Sequence, residues 1–303
     1  MKKTSPPRHP RLARFLRRLR FVVFLLLALA LFGTLGGCFM LRVTEKKYLY
    51  HPVAEVPANP YAVDLVHQNV TFRAADGTTL HGWWIPASYP VANLVMFHGN
   101  AGNIGYVLNL LPYFHERRYN IFLFDYRGYG QSEGTPTEPG LYLDGAAAID
   151  VAQKMNKFAR PRLPLILYGH SLGVTIALHS ALGATPTPAA LVLDSGFHST
   201  TNMAKLLYPS LPLDHFLTAA YPGGDFAAKL PGIPKLFLHS PTDATVPFAS
   251  GRLLAGVAAA PKQFALLTGA HNDHSWLATN TPARRALDTF LAAALAPTNP
   301  PAR

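Results

Sequence analysis

The sequence predicts an α/β fold with a mostly parallel sheet and helices on both of its faces. Between residues 63 and 295, the predicted domain, short apolar runs of strand length alternate with stretches of helical length, which is typical of βαβ units. Serine, aspartate and histidine residues follow several of these runs, at the strand ends where parallel sheets place functional sites. Of the 303 residues, 49% are apolar and 14% charged, which excludes disorder over most of the chain.

The positive charge of the chain is concentrated at its N-terminus. The formal net charge is +11, from 27 Lys and Arg against 16 Asp and Glu. Residues 1–37 hold eight of the basic side chains and none of the acidic ones, which leaves 19 against 16 in the remainder. This nearly balanced remainder argues against nucleic acid as a partner.

Residues 1–42 are predicted to be a signal or anchor segment. Twelve apolar residues, 21–32, follow the basic stretch, and residues 21–41 carry no charge. The first length suits a signal peptide and the second suits one membrane-spanning helix. Under both interpretations the basic flank stays in the cytoplasm, so the domain is expected to be membrane-anchored on the extracytoplasmic, periplasmic side.

Cys38 is the single cysteine of the sequence, so an intramolecular disulfide is excluded. The residues before it, 35–37, read Leu-Gly-Gly. They resemble the bacterial lipoprotein signal, in which the cysteine is lipidated and becomes the mature N-terminus. The alternative is that Cys38 is an inert small residue within an uncleaved helix. Under both interpretations a membrane is a predicted partner.

Residues 43–62 are predicted to be a linker without regular structure. The first elements of the domain are two strands, 70–73 and 80–85, joined across Asp76-Gly77. This dipeptide favours a tight turn, so the two strands are expected to pair as an antiparallel hairpin.

Buried parallel strands are predicted after the hairpin, because fully apolar runs are typical of strands covered on both faces. These runs are residues 94–97, 121–124, 165–167, 191–193, 236–238 and 264–267. Helices are predicted between them at residues 104–117, 141–157, 172–182 and 250–259. Residues 195–230 are too long for an ordinary connection and are expected to form a small lid. Residues 296–303 are expected to be a flexible tail.

Residues 169–173 read Gly-His-Ser-Leu-Gly and lie between a predicted strand and a predicted helix. This is the context of a nucleophile elbow, a tight turn that projects a serine hydroxyl into a site. Glycine is needed at both ends, since a side chain there would obstruct the strand and the helix that close on the turn. Ser171 is therefore the predicted nucleophile.

A serine nucleophile needs a general base, and the base needs an acid that fixes its tautomer. His271 follows the last predicted strand and is the predicted base, with His274 as its competitor. Asp243 follows the preceding predicted strand and is the predicted acid, with Asp194 as the alternative. The chain order of serine, aspartate and histidine is that of the α/β-hydrolases.

The backbone N–H groups of Asn100 and Leu172 are the predicted oxyanion hole. Leu172 directly follows the nucleophile, and Asn100 lies in the Gly- and Asn-rich loop after the first parallel strand, which are the positions that supply such donors. The loop could also be a phosphate cradle, but it lacks the Lys and Ser/Thr of a P-loop. We therefore expect no nucleotide, and neither a metal nor an organic cofactor.

Five segments resemble the α/β-hydrolase superfamily and occur in its order: FHGNAGNIG at 97–105, DYRGYGQSEG at 125–134, YGHSLG at 168–173, HSPTDATVP at 239–247 and GAHND at 269–273. The sequence is most similar to the BEM46-like, ABHD-type branch, which is membrane-anchored. This resemblance implies an eight-stranded α/β-hydrolase sheet with a modest lid. It also implies a triad of Ser171, Asp243 and His271 that acts on esters, thioesters or amides.

The predicted function is that of a membrane-tethered serine hydrolase. It would cleave a carboxylic ester or thioester of a small-molecule or lipid-like acyl substrate through an acyl-enzyme. Two alternatives stay open: an aminopeptidase or amidase with the same triad, and a non-catalytic binding protein on the same fold. The first would need an acidic group to hold the substrate amine, and we identify none in the sequence.

Overall fold

A computed structural model describes residues 10–155, 162–211, 213, 217–278 and 280–296. In its first helix, the side chains at 10–14, 30, 31 and 34–44 are not described. The chain divides into two compact units, Met1–Lys46 and Lys47–Arg303. The predicted tail lies outside the described residues from position 297 onward.

The described part of the first unit is helical. Helix α1 (Pro10–Leu49) has 40 residues and is rich in Leu, Arg and Phe, of which Leu and Arg are strong helix formers. Phe21, Phe24 and Phe32 are 66%, 69% and 76% exposed. Cys38 lies in α1 at a position whose side chain is not described. Among the residues that the structure describes, no helix has both the length and the apolar character needed to cross a membrane.

The second unit alternates strands with helices, as the sequence predicts. Its strands are β1 (His51–Pro52), β2 (Gln68–Arg73), β3 (Thr79–Ile85), β4 (Ala92–Phe97), β5 (Ala101–Gly102), β6 (Tyr119–Phe124), β7 (Leu165–His170), β8 (Ala190–Asp194), β9 (Lys235–His239) and β10 (Lys262–Leu266). Its helices are α2 (Leu111–Glu116), α3 (Glu138–Met155), α4 (Leu172–Gly183), α5 (Thr200–Leu207), α6 (Gly223–Ala228), α7 (Phe248–Val257) and α8 (Pro282–Leu295).

Eight strands form one sheet in the order β10-β9-β8-β7-β4-β6-β3-β2. β3 is antiparallel to its neighbours β2 and β6, and the pairings from β6 through β10 are parallel. The eight-stranded, mostly parallel sheet is therefore confirmed, together with the antiparallel hairpin of β2 and β3 that forms one end of it. The parallel strands end at one edge of the sheet, which carries the predicted site residues.

Apolar side chains of successive residues point to opposite faces of the sheet and build two cores. In β4, Val95 and Phe97 belong to the core that includes Leu141 of α3 and residues of α4. Leu94 and Met96 belong to the core on the other face, with residues of α2 and α8. Helices thus cover both faces, which explains why the central strands read as uninterrupted apolar runs.

The helix predicted at residues 104–117 is wrong in its first half. Two 3₁₀ turns, Ile104–Tyr106 and Leu108–Leu110, precede α2. Pro112, near the start of α2, has no N–H to bond the Leu108 carbonyl, so a continuous α-helix cannot run through it. The first 3₁₀ turn is instead capped by Asn103, whose side chain accepts from the Gly105 amide at 2.9 Å.

The predicted linker, residues 43–62, is partly folded, and the compact unit begins at Lys47 rather than at residue 63. Its first residues continue α1, and β1 pairs in parallel with β5. Tyr50 is only 8% exposed. Backbone groups of this segment bond to a loop some fifty positions away along the chain, and such long-range pairing leaves no periodic pattern in the sequence.

The predicted lid, residues 195–230, contains α5 and α6. Residues 212 and 214–216 lie outside the described residues. The side chain of Ser199 caps α5 by accepting from the Asn202 amide at 3.1 Å. The buried Tyr221 fixes the far end of this excursion in the core on the α3 and α4 side.

Candidate active site

The turn from β7 to α4 holds Ser171 with φ of 55° and ψ of −120°, a conformation that residues other than glycine rarely adopt. The Ser171 amide donates to the Asp194 carbonyl at 2.8 Å, which fixes the turn against β8. A Cβ at Gly169 would lie 2.6 Å from the Gly173 carbonyl oxygen, and one at Gly173 would lie 2.1 Å from the Phe97 carbonyl oxygen. The elbow therefore closes only with glycine at both positions.

The structure brings the three predicted triad residues together. His271 Nε2 lies 2.9 Å from Ser171 Oγ, and His271 Nδ1 lies 2.6 Å from Asp243 Oδ2. Since an ionised carboxylate only accepts hydrogen bonds, Nδ1 carries the proton and donates it to Asp243. The Nε2 lone pair is then free to accept from the Ser171 hydroxyl, which is the arrangement a general base needs.

Asp243 is held in the loop after β9 by hydrogen bonds that favour its charged form. Its Oδ1 accepts from the amides of Thr245 and Val246 at 2.9 and 2.8 Å. Burial on its own would raise the pKa of Asp243, but the hydrogen bonds from His271 and from these amides outweigh it. The pKa of Asp243 therefore lies below its ordinary value, and the carboxylate stays ionised at neutral pH.

The predicted oxyanion donors lie on two elements that meet at Ser171. Leu172 is the first residue of α4, so its N–H has no partner within the helix. The loop after β4 is adjacent, because a Cβ at Gly99 would lie 3.4 Å from Ser171 Cβ. Within the part of the chain that the structure describes, neither the backbone N–H of Asn100 nor that of Leu172 donates a hydrogen bond, so both can serve a ligand.

His98 and Asp125 hold the two ends of this loop. His98 Nδ1 donates to the Gly99 carbonyl at 2.7 Å, and because the peptide bond is planar and trans, the Asn100 N–H points away from that ring. Asp125 Oδ1 accepts from the Ile104 amide at 2.9 Å and lies 3.7 Å from His98 Nε2. Burial lowers the pKa of His98 to about 4 and raises that of Asp125 to about 7.

His98 and Asp125 both directly follow apolar strands, although the sequence alone does not show that they hold this loop. That position at the carboxyl edge of the sheet is the signal that points to them. His98 is neutral at neutral pH because its pKa is low, so it acts as a fixed hydrogen-bond donor rather than as a charge.

Asp194 and His274, the alternatives for the acid and the base, have other partners. Asp194 accepts from the Tyr168 hydroxyl at 2.6 Å and from the Ser195 hydroxyl at 2.9 Å. His274 Nε2 lies 3.8 Å from Asp194 Oδ2. The geometry therefore favours Asp243 and His271 over both alternatives.

Asp194, His274 and His170 are the group of described residues whose ligand atoms lie close enough to hold a metal ion, within 4.8 Å of one another. His274 Nε2 is buried without a hydrogen-bond partner among the described residues, whereas the other two members have partners within the protein. Asp194 is already bonded as above, and His170 Nε2 lies 3.1 Å from the His271 carbonyl oxygen, to which it can donate. Through the contact between His170 and the His271 carbonyl, this cluster supports the backbone of the loop that carries His271.

Comparison with known proteins agrees with this geometry. A family model described as serine aminopeptidase, S33 matches residues 88–230. The uncharacterised protein YfhR of Escherichia coli strain K12 is 34% identical over 239 residues, which cover 77% of this chain and 83% of that protein. The chain belongs to the α/β-hydrolase family.

Other α/β-hydrolases show the same likeness. Protein bem46 of Schizosaccharomyces pombe is 28% identical over 212 residues, covering 67% of this chain and 70% of that protein. The structure of the Pyrococcus furiosus esterase Pf2001 has a TM-score of 0.65 at 15% identity, covering 82% of this chain and 98% of that one. The BEM46-like resemblance and the predicted fold are both confirmed.

Proposed function

We propose that this α/β-hydrolase is a serine hydrolase that cleaves carboxylic esters or thioesters through an acyl-enzyme. The observation that carries the proposal is the continuous chain of hydrogen-bond contacts from Ser171 through His271 to Asp243. A buried serine in a strained turn, with a general base at 2.9 Å and a charged acid behind it, is the constellation that activates a hydroxyl nucleophile. A non-catalytic binding protein would not need a serine, a histidine and an aspartate joined in this way.

The chemistry follows from the placement of these atoms. Ser171 Oγ attacks the substrate carbonyl carbon while its proton moves to His271 Nε2, and Asp243 stabilises the imidazolium that forms. The N–H groups of Asn100 and Leu172 bind the negative oxygen of the tetrahedral intermediate. The imidazolium then protonates the departing alcohol or thiol, which leaves the acyl group on Ser171. Water, deprotonated by His271, releases the acid and restores the serine.

A second candidate function is hydrolysis of amides, because the matching family model is described as a serine aminopeptidase. An aminopeptidase holds the substrate amine with an acidic side chain. Three carboxylates at the carboxyl edge of the sheet, Asp125, Asp194 and Asp243, are buried and already bonded within the protein. We therefore favour esters and thioesters, and the Pyrococcus furiosus protein of similar fold is named an esterase.

The test compares Ser171→Ala with Ser195→Ala. Both serines are buried and follow neighbouring strands, and both have φ of 55°, so Ser195→Ala is a matched control. Ser171→Ala should lower turnover of a short-chain p-nitrophenyl ester by at least about 10⁴-fold and abolish labelling by a fluorophosphonate. Ser195→Ala should keep both. Full labelling of Ser171→Ala contradicts the nucleophile, and turnover of an aminoacyl p-nitroanilide but of no ester or thioester favours the second candidate.

The proposal includes a membrane tether at the N-terminus. It is supported by the basic and apolar pattern of residues 1–41 and by the apolar side chains that α1 leaves exposed, since an apolar surface of this kind requires a covering. Attachment would be through a lipid on Cys38 or through an uncleaved helix, with the catalytic domain on the extracytoplasmic side. A lipid-like acyl substrate would then be within reach.

A further inference from the structure

Asn100 is clamped by the two residues on either side of Tyr50. The Asn100 side-chain amide donates to the Leu49 carbonyl at 2.9 Å. The His51 amide donates to the Asn100 carbonyl, also at 2.9 Å. Because these bonds hold both the side chain and the carbonyl, they fix the position of the residue whose N–H is the proposed oxyanion donor.

The clamp continues along the loop. β1 pairs in parallel with β5, with His51 opposite Ala101 and Pro52 opposite Gly102. Beyond it, the Val53 amide donates to the Gly102 carbonyl at 3.0 Å. Two side chains add to these contacts: Tyr129 donates to the Asn100 carbonyl at 2.8 Å, and Asn103 donates to the Val53 carbonyl at 2.8 Å. Residues 49–53, which we call the strap, thus run alongside residues 99–103, which we call the oxyanion loop. Residues 51 and 52 of the strap pair with this loop as a short parallel strand.

Tyr50 ties the strap to the predicted lid. Its ring is buried, and its hydroxyl lies 2.6 Å from the Tyr221 hydroxyl. The amide of Tyr221 in turn donates to Glu138 Oε1 at 2.8 Å. The strap therefore connects the oxyanion loop with the predicted lid at residues 195–230. Its first residue, Leu49, is also the last residue of α1.

We propose that the strap is a positioning element of the oxyanion hole, an inference that rests on the proposed function. The oxyanion loop leaves β4 at Phe97 and is held from the side of β4 and β6 by four side chains: His98, Asp125, Tyr126 and Tyr129. The strap supplies the opposite side, and without its hydrogen bonds the Asn100 N–H would move relative to Ser171. An oxyanion donor is worth about 10²- to 10³-fold in kcat, and a displacement of about 1 Å can cost about 10²-fold.

The experiment removes one backbone N–H of the strap in the full-length chain. His51→Pro lacks the N–H that donates to the Asn100 carbonyl, whereas His51→Ala, the matched control, keeps it. The His51 side chain is exposed, and its one hydrogen-bond contact within the described residues is to the Tyr48 carbonyl oxygen, at 3.0 Å. We expect kcat for a p-nitrophenyl ester to be at least about 10-fold lower in His51→Pro than in His51→Ala, with KM changed less than about twofold.

A second variant and a second measurement separate positioning from folding. Asn100→Ala keeps its own N–H but loses the bond to the Leu49 carbonyl, and it should show the same selective loss of kcat. For each variant, the affinity of a trifluoromethyl ketone, whose tetrahedral adduct needs the oxyanion hole, should fall in parallel with kcat/KM. The affinity of the carboxylic acid product should stay unchanged. A purely structural defect would lower the melting temperature and weaken both ligands together.

The outcomes distinguish the strap from the proposed function. One outcome is that a fluorophosphonate labels Ser171 while kcat is equal in His51→Pro, Asn100→Ala and His51→Ala. This outcome overturns the positioning role of the strap and leaves the proposed serine hydrolase function intact. A parallel loss of product and ketone affinity also overturns the positioning role. Failure of the unmodified chain to react at Ser171 or to hydrolyse any ester, thioester or amide overturns the proposed function and the strap with it.

Discussion

His271 has two hydrogen-bond partners of different character. The contact from its Nδ1 to Asp243 is short, at 2.6 Å, as expected of a bond to a charged acceptor, and the contact from Nε2 to the neutral Ser171 hydroxyl is 2.9 Å. The two bonds act together, because the charge on Asp243 fixes the proton on Nδ1 and so leaves Nε2 as the acceptor. The depressed pKa of Asp243 keeps that charge in place.

Replacement of this charge is the residue-scale prediction. Asp243→Asn should lower kcat by about 10³- to 10⁴-fold, because a neutral amide neither fixes the tautomer of His271 nor stabilises its cation. Asp194→Asn is the matched control: it changes a buried carboxylate at the neighbouring strand end, which accepts from Tyr168 and Ser195. Asp194→Asn should destabilise the fold, seen as a lower melting temperature, and should lower kcat much less than Asp243→Asn does. Equal losses of kcat in the two variants would refute the assignment of Asp243.

At the scale of elements, the β7–α4 elbow depends on close approach of backbones. Gly173 lies against the carbonyl end of β4, and a Cβ there would meet the carbonyl oxygens of Phe97 and His98. Both of those atoms are backbone and belong to the start of the oxyanion loop. The packing that builds the nucleophile turn therefore also brings the oxyanion loop against it.

Gly173→Ala should prevent this approach and leave little folded protein, because the Cβ would lie 2.1 Å from the Phe97 carbonyl oxygen and backbone cannot move aside cheaply. Gly183→Ala is the control in the same helix, where nothing lies within 4 Å of the added Cβ. It should raise the free energy of unfolding by up to about 1 kcal/mol through higher helix propensity. Thermal unfolding of both variants checks this, and an unchanged melting temperature for Gly173→Ala would show that the elbow can relax.

At the scale of the whole molecule, the parallel sheet assembles the site. Ser171 follows β7, Asp243 lies beyond β9 and His271 lies beyond β10. Because β7, β8, β9 and β10 pair in parallel, their carboxyl ends share one edge, and Ser171 and His271 come into contact although 100 positions separate them. For the N-terminal unit we propose a different role, which is attachment of the protein to a membrane.

The N-terminal prediction is tested by fractionation and intact mass after expression of the full chain in a Gram-negative bacterium. We expect the protein in the membrane fraction. Loss of residues 1–37 with added acyl mass, abolished in Cys38→Ala, identifies a lipoprotein. An uncleaved chain in the same fraction, unaffected by Cys38→Ala, identifies a helical anchor. Recovery of the chain as free protein from the soluble fraction, cleaved beyond Cys38, would contradict both forms of tether.

Local sequence was enough to predict the strands, the hairpin and the elbow. The strands at 94–97 and 165–167 read as buried because both of their faces are covered, and Gly169-His170-Ser171-Leu172-Gly173 is informative because sterics alone demand glycine at its ends. Sequence reasoning failed at residues 104–117, where capping by Asn103 and the missing N–H of Pro112 divide the helix.

The sequence by itself determined the fold class and supplied the proposed nucleophile and the candidates for its base and acid, since these follow from apolar periodicity and from short motifs of contiguous residues. The sequence favoured Asp243 over Asp194 although both follow strands, and the tertiary structure added the physical reason, a 2.6 Å contact between Asp243 and His271. Only the tertiary structure decided that residues 49–53 pack against the oxyanion loop. Hydrogen bonds between backbone groups that lie some fifty positions apart in the chain depend on how the intervening strands fold and bring the two segments together. No local sequence pattern encodes such pairing.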